Sequence, residues 1–290
     1  MTLPAEPIAV VELFPELHRR LLDLLAGLSD DQWRLPTVCA GWSVKDVALH
    51  LLGGDVSNLS RRRDGLTGAL AAYAPAGADL SDHGTLVTAL NAWNEDWVAA
   101  TRRMSPRVLC ELLAVTGGTL HTYYRGLDLL ATGDPVSWIG PEPVPVWADI
   151  AREYTEQWMH QAQIRDATGI SGPGGVREPR LFAPVLATFM LALPHALRDV
   201  AAPEGTRLRV VITGAAGGEW SAVWTAGRWA LAGTAAGAAD EATATAILDE
   251  DTAWRLWTRG LTPDATARAV QTTGDDQLAG KLREMVTFIG

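Results

Sequence analysis

Between residues 147 and 168 the sequence contains neither Gly nor Pro, and the stretch is long enough for about six turns of α-helix. Within it, AREYTEQWMHQAQIRDA (151–167) sets a carboxylate, Glu156, and an imidazole, His160, four residues apart. On a helix, residues i and i+4 share a face one turn apart, so both side chains can point at a common centre. Two such groups do not define a catalytic metal site, which needs a third protein ligand and one open position. The same spacing also suits a solvated helix face, on which Glu156 pairs with Arg152 or His160. A third ligand, if there is one, must come from elsewhere in the chain.

The rest of the first half is helical in pattern. Val10, Leu13, Phe14, Leu17, Leu21, Leu24, Leu25 and Leu28 keep helical spacing and predict an amphipathic first helix. Ser29 and Asp30 can cap a short turn through Trp33, and LPTVCAGWS is a loop of chain breakers. Ser43, with Asp46 three residues on, reads as a capping box that starts a helix at Val44 and carries His50. His50 shares a face with Ser57, Asn58 and Arg61, while the Gly53-Gly54 pair weakens the helix and permits a close approach. Residues 65–84 read as a connection with a turn of helix, and residues 86–104 as a third long helix. Residues 109–130 read as helix interrupted at Gly117-Gly118, and the prolines at 135, 141, 143 and 145 stop any continuation. GISGPGG closes the long helix near residue 170, which sets expected domains at 1–170 and 171–290.

Beyond residue 170 the texture changes. A Pro-punctuated helical segment (181–200) precedes alternating runs, RLRVVITG, WSAVWTAG, RWALAGT and ATATAILD, with Gly217-Gly218 and Ala226-Gly227 as hairpin punctuation. Residues 251–259 read as a helix, ARAVQTTG as a strand and residues 275–286 as a final helix, which together make a small α+β unit.

Several function classes drop out. A net charge of −10 and a basic cluster no longer than Arg61-Arg62-Arg63 argue against phosphate-dominated nucleic-acid binding. Cys39 and Cys110 cannot supply a disulfide framework or a paired-cysteine metal site, which points to a reducing compartment and a cytoplasmic setting. No secretory signal and no apolar run of membrane-spanning length is seen, so no membrane partner is expected. The Gly-rich dinucleotide and phosphate loops and the GxSxG elbow are absent.

DDQWRLPTVCAGWSVKDVALHLLGGD (30–55), followed much later by EYTEQWMHQAQIRDATG (153–169), resembles the mycothiol-dependent maleylpyruvate isomerase family of the DinB-like superfamily. RLRVVITGAAGGEWSAVW, LWTRGL and TTGDDQLAGKL resemble that family's sterol-carrier-like C-terminal domain, so the likeness extends over nearly the whole chain. It implies an N-terminal four-helix, DinB-like bundle followed by a small α+β sterol-carrier-like domain. It also implies a metal held by two His and one Glu, which fall here on His50, Glu156 and His160. Zinc is the implied ion, with another divalent metal left open, and mycothiol the implied cosubstrate. The implied activity is cis-trans isomerisation of, or thiol transfer to, an electrophilic small molecule. Two alternatives stay open: a thiol-independent metal enzyme such as a cyclase or hydrolase, and a non-catalytic small-ligand binder. For the anionic part of a substrate the first candidate is Arg61, on the His50 face, ahead of Arg102, Arg165 and Arg259. Trp257 and Arg259 are candidates for the active cleft. His83, His121 and His195 are read as surface or packing residues, and Trp33, Trp42 and Trp158 as packing or substrate contacts.

Overall fold

The structure, a computed structural model, describes residues 6–170, 175–232, 242–285 and 287. Its contacts fall into two units that interleave along the chain: residues 10–128 with 156–176, and residues 1–9 with 129–155 and 177–289.

The first unit is helical. α1 (Phe14–Ala26) has Pro15 in its first turn, where a missing N–H is harmless, and buries Leu17, Leu21, Leu24 and Leu25. After a short 3-10 turn at Gln32–Arg34, α2 (Val44–Asn58) begins on the expected capping box, with the Ser43 hydroxyl on the Asp46 N–H and the Asp46 carboxylate on the Ser43 N–H. α2 ends in a π-helical turn, Leu59–Arg63. A 3-10 turn, Ala69–Tyr73, leads to α3 (His83–Thr101), capped by Asp82, and then to α4 (Pro106–Arg125), capped by Ser105. α4 runs unbroken through Gly117-Gly118, which corrects the expected interruption, because packing outweighs the helix penalty of about 1 kcal/mol per glycine. α5 (Val146–Thr168) is one continuous helix whose residues from Glu156 onward belong to this unit.

A single core, built from Leu21, Leu24, Leu25, Trp33, Val44, Val47, Leu51, Val98, Leu109, Leu113 and Ile164 among others, draws on all five helices. At roughly 2 kcal/mol for each fully buried aliphatic side chain, this apolar contact holds the helices in register far more firmly than their intrinsic propensities do. Among the described residues no helix is long and apolar enough to cross a membrane.

The second unit is organised on a five-stranded sheet. Its strands are β3 (Arg207–Thr213), β4 (Gly218–Thr225), β5 (Arg228–Ala232), β6 (Ala244–Asp249) and β7 (Gln271–Gly274), preceded in the chain by the two-stranded pair β1 (Thr132–Pro135) and β2 (Pro143–Pro145). The order is β5-β4-β3-β6-β7, all antiparallel except the parallel pair β3 and β6. Ala226 (φ 50°) and Gly227 (φ 76°) make the tight β4–β5 hairpin, as two consecutive positive φ angles require. Leu208, Val210 and Ile212 alternate inward along β3.

Helices α6 (Pro179–Met190), α7 (Leu193–Ala196), α8 (Glu250–Trp257), α9 (Pro263–Arg268) and α10 (Asp276–Gly280) complete this unit. Phe189 of α6 meets Trp257 of α8 edge to face, with ring centroids 5.6 Å apart. Two expectations change here. The strand read over 267–274 starts only at Gln271, because Thr262 caps α9 through the Ala265 N–H and Pro263 occupies its first turn. The final helix stops at Gly280 and tightens into a 3-10 turn, Lys281–Arg283. Val286, and the breakers at 171–174, lie outside the described residues.

Candidate metal centre

The site is built where α2 and the second half of α5 face each other in the helical unit. α5 is fixed in rotation by hydrogen bonds on its other sides. Trp158 Nε1 donates to the Val176 carbonyl at 2.7 Å, and Gln161 Nε2 donates to the Leu17 carbonyl at 3.0 Å. With those faces committed, Glu156 and His160 are left pointing toward α2. α2 in turn is held at its start by the capping box and by Arg102, whose Nε donates to Asp46 Oδ1 at 2.9 Å. Burial alone raises the Asp46 pKa, and the hydrogen bonds from Arg102 and Ser43 outweigh it, so this carboxylate titrates below its ordinary value.

His50, one turn further along α2, meets the pair. His50 Nε2 lies 3.2 Å from Glu156 Oε1, and the His50 and His160 rings sit 4.7 Å apart at 74°. One ligand atom from each of His50, Glu156 and His160 falls within 4.8 Å of the other two. The two histidines are buried and Glu156 is half-buried, so the donors open to solvent on the carboxylate side.

The chemistry of the donor set fits a divalent ion. Burial pulls the His160 pKa down to about 4, the neighbouring His50 adds to the drop, and Glu156 and Gln163 oppose it. The imidazole is therefore neutral at physiological pH, which is the form that ligates. His160 Nδ1 is 2.8 Å from Gln163 Oε1, which also accepts from the Cys39 thiol at 3.3 Å. A carbonyl oxygen at Nδ1 places the proton there and leaves the Nε2 lone pair for the site, the usual outer support of a ligating histidine. The Trp42 ring stands 5.2 Å from His50, and its Nε1 donates to Glu95 Oε2 at 2.8 Å, so one wall of the site is aromatic.

The three residues singled out as ligands thus come together. Arg61 does not line the triad. It sits on the π-helical turn and lines a cavity with Ser57, Trp93 and Trp97. Arg102 is taken up by Asp46 and, at 3.6 Å, by Glu95, and Arg165 donates to the Arg20 carbonyl. In the sheet unit, Arg259 is exposed with φ of 57°, and Trp257 is fully buried with its Nε1 on the Leu282 carbonyl at 3.2 Å. His83 opens α3 on the surface, and the His195 carbonyl accepts from Arg198. His121 lines a small cavity with His18, a residue that the sequence reading passed over. Trp33 is core, and Trp158 is core with the hydrogen bond that orients α5. Gln163 was also missed. Its signal was its position three residues after His160, on the same helix face.

A family model described as the mycothiol maleylpyruvate isomerase N-terminal domain matches residues 14–165, a span that includes all three donors. The crystal structure of a mycothiol-dependent maleylpyruvate isomerase aligns over 92% of this chain and 93% of its own, at 12% identity and a TM-score of 0.50, a likeness of fold. A mutant of such an enzyme aligns with the same coverage and identity at a TM-score of 0.49. No curated protein matches the sequence.

Proposed function

The chain belongs to the mycothiol maleylpyruvate isomerase family, and from that premise we propose that it is a zinc-dependent enzyme using mycothiol on an electrophilic small molecule. The observation that carries this reading is the convergence of His50, Glu156 and His160 within 4.8 Å, two imidazole nitrogen donors and one carboxylate with a side open to substrate. These three residues are proposed to hold the ion, with Gln163 setting the His160 tautomer. When bound, zinc supplies Lewis acidity that keeps a coordinating thiol in its thiolate form near neutral pH.

The protein's own groups do the rest. Cys39 does not need to take part: burial raises its pKa, and its thiol donates to Gln163. The attacking sulfur is therefore assigned to mycothiol. If that sulfur adds to one carbon of an activated alkene and leaves after rotation about the former double bond, no thiol is consumed and the product is the geometric isomer. If it stays, the alkene gains the sulfur at one carbon and a proton at the other, and the reaction is a thiol transfer. Arg61 is proposed to hold an oxygen of the substrate at the polar end. Trp42 and the buried histidines keep bulk water from the reacting sulfur on their side.

The division at residue 170, the sterol-carrier-like character of the C-terminal part and a cytoplasmic location complete the proposal. Two cysteines without a disulfide support the last of these.

Metal analysis and turnover test the reading together. The purified protein is expected to carry one zinc per chain, His160→Ala is expected to lose it, and turnover of an activated alkene is expected to need mycothiol. Metal content unchanged in His160→Ala overturns the site. Full turnover without any low-molecular-weight thiol overturns the cosubstrate.

A further inference from the structure

Ser57, Ser60 and Arg61 follow His50 on α2 and its π-helical extension, and with Val56 they form one wall of a cavity of about 480 Å³. Trp93, Asp96, Trp97 and Ala100 of α3 form the facing wall, and Leu66, Leu70 and Tyr73 from the intervening segment close it. The volume is that of pockets that hold drug-sized ligands. Seven residues of helix separate His50 from Ser57, about 10 Å along the axis, and the heptad spacing keeps both on one face. The cavity and the metal centre also share structural support. The Trp97 indole lies over Gly53 and donates from Nε1 to the Leu49 carbonyl at 2.8 Å, the backbone turn that presents His50.

The lining is chemically particular. Two indoles, a phenol and six aliphatic side chains dominate it, and Tyr73 meets Trp93 edge to face at 5.2 Å. Its acidic and basic groups are one of each sign, Asp96 and Arg61, and Asp96 is engaged by the Tyr73 hydroxyl at 2.6 Å. No excess positive charge is available to compensate a short dianion brought out of water. Flat aromatic walls, near-neutral charge and hydroxyls at Ser57 and Ser60 suit instead a ring-bearing neutral molecule with a carbonyl or similar acceptor. The π-helical turn widens the helix where Ser60 and Arg61 reach the cavity, a device that recurs at functional sites.

We propose that this cavity is the subsite for the aryl or comparably flat apolar body of the electrophile, so that the chain's substrates are neutral and ring-bearing rather than short dicarboxylates. The assignment of an electrophile rests on the function proposed above; the binding of a neutral aryl ketone at this cavity does not.

Isothermal titration of the full-length protein, without added thiol, with 4-phenylbutan-2-one, a saturated ketone with no alkene for a thiol to add to, tests the subsite apart from the chemistry. The wild type is expected to bind it at least about tenfold more tightly than maleate. Ala100→Trp, which places an indole at an exposed position on the cavity rim, and Trp93→Ala, which removes a wall, are each expected to weaken it about tenfold or more. Zinc content and melting temperature of Ala100→Trp should match the wild type, so that a loss of binding cannot be put down to unfolding. His50→Ala should lose metal and still bind the ketone. Preference for maleate, or wild-type affinity in Ala100→Trp, overturns the subsite. Ketone binding that is lost in Ala100→Trp, in a protein that carries no zinc and needs no thiol, upholds the subsite and overturns the zinc and mycothiol reading. Zinc with mycothiol-dependent turnover, but no ketone binding, upholds that reading and overturns the subsite.

Discussion

Gly53 and Gly54 are neighbours in the middle of α2, and replacing each with alanine should move stability in opposite directions. A methyl group at Gly53 would lie 2.7 Å from both Cδ1 and Nε1 of Trp97, well inside van der Waals contact, whereas one at Gly54 meets nothing within 4 Å. Gly53→Ala must displace the indole and strain or break its 2.8 Å hydrogen bond to the Leu49 carbonyl. Overpacking of this kind costs about 1–3 kcal/mol, and loss of the hydrogen bond about 1 kcal/mol. The better helix propensity of alanine returns about 1 kcal/mol, which leaves a net loss of about 1–3 kcal/mol. Gly54→Ala collects the propensity gain alone and should be more stable by up to about 1 kcal/mol. With a urea m-value of roughly 2 kcal/mol/M, the two midpoints should differ by about 1–2 M, read by circular dichroism at 222 nm. Coincident midpoints, or a more stable Gly53→Ala, would show that the Trp97–Gly53 contact does not hold α2 and α3 together. Because Trp97 supports the turn that carries His50, Gly53→Ala should also bind zinc more weakly, while Gly54→Ala should not.

The second glycine pair repeats the asymmetry. A methyl at Gly117 would fall 2.3 Å from the His18 ring and one at Gly118 meets open space, so Gly117→Ala should lower the thermal midpoint by several degrees and Gly118→Ala should hold or raise it. Gln163→Leu removes the acceptor at His160 Nδ1 and should weaken zinc binding about 10- to 100-fold in a chelator competition, with the fold intact; unchanged affinity would remove Gln163 from the site. Asp46 has a folded-state pKa below its ordinary 3.8, so its contribution to stability is present above that value and is lost as pH falls through the lower, folded pKa. Arg102→Gln should therefore be less stable than wild type at pH 7, with the gap closing below about pH 4 in acid titrations of urea-unfolding stability. A gap that stays constant down to pH 3 would mean that Arg102 acts through packing.

Much of the helical unit was legible because its signals are local. Ser43 and Asp46 form the capping box that their spacing predicts, since both partners lie within one turn. The periodic leucines of α1 became its buried face for the same reason. The misreadings came where local rules met tertiary contacts. Gly117-Gly118 reads as a break, yet α4 runs through it because the missing side chain at Gly117 admits the His18 ring, and no property of residues 106–125 announces that.

Glu156 and His160 could be put on one helix face from the sequence, since a 3.6-residue period fixes their direction relative to each other. Whether that face meets solvent or a third ligand depends on a helix about a hundred residues earlier, and the pairing of His50 with Glu156 at 3.2 Å exists only after α2 and α5 have packed. The same holds for Arg61. A spacing of eleven residues, close to three whole turns, puts it on the His50 face, but those residues carry it about 16 Å along the axis, and the fold assigns it to the tryptophan-lined cavity. Likewise β3 and β6 each read as strands from their alternation, while their parallel pairing joins segments some 36 residues apart, Leu208 opposite Ala244, through a connection whose geometry no local pattern encodes. Spacing along a chain determines direction. Which groups meet is decided when the faces so directed are buried against one another, because only that burial repays the entropy of holding them in place.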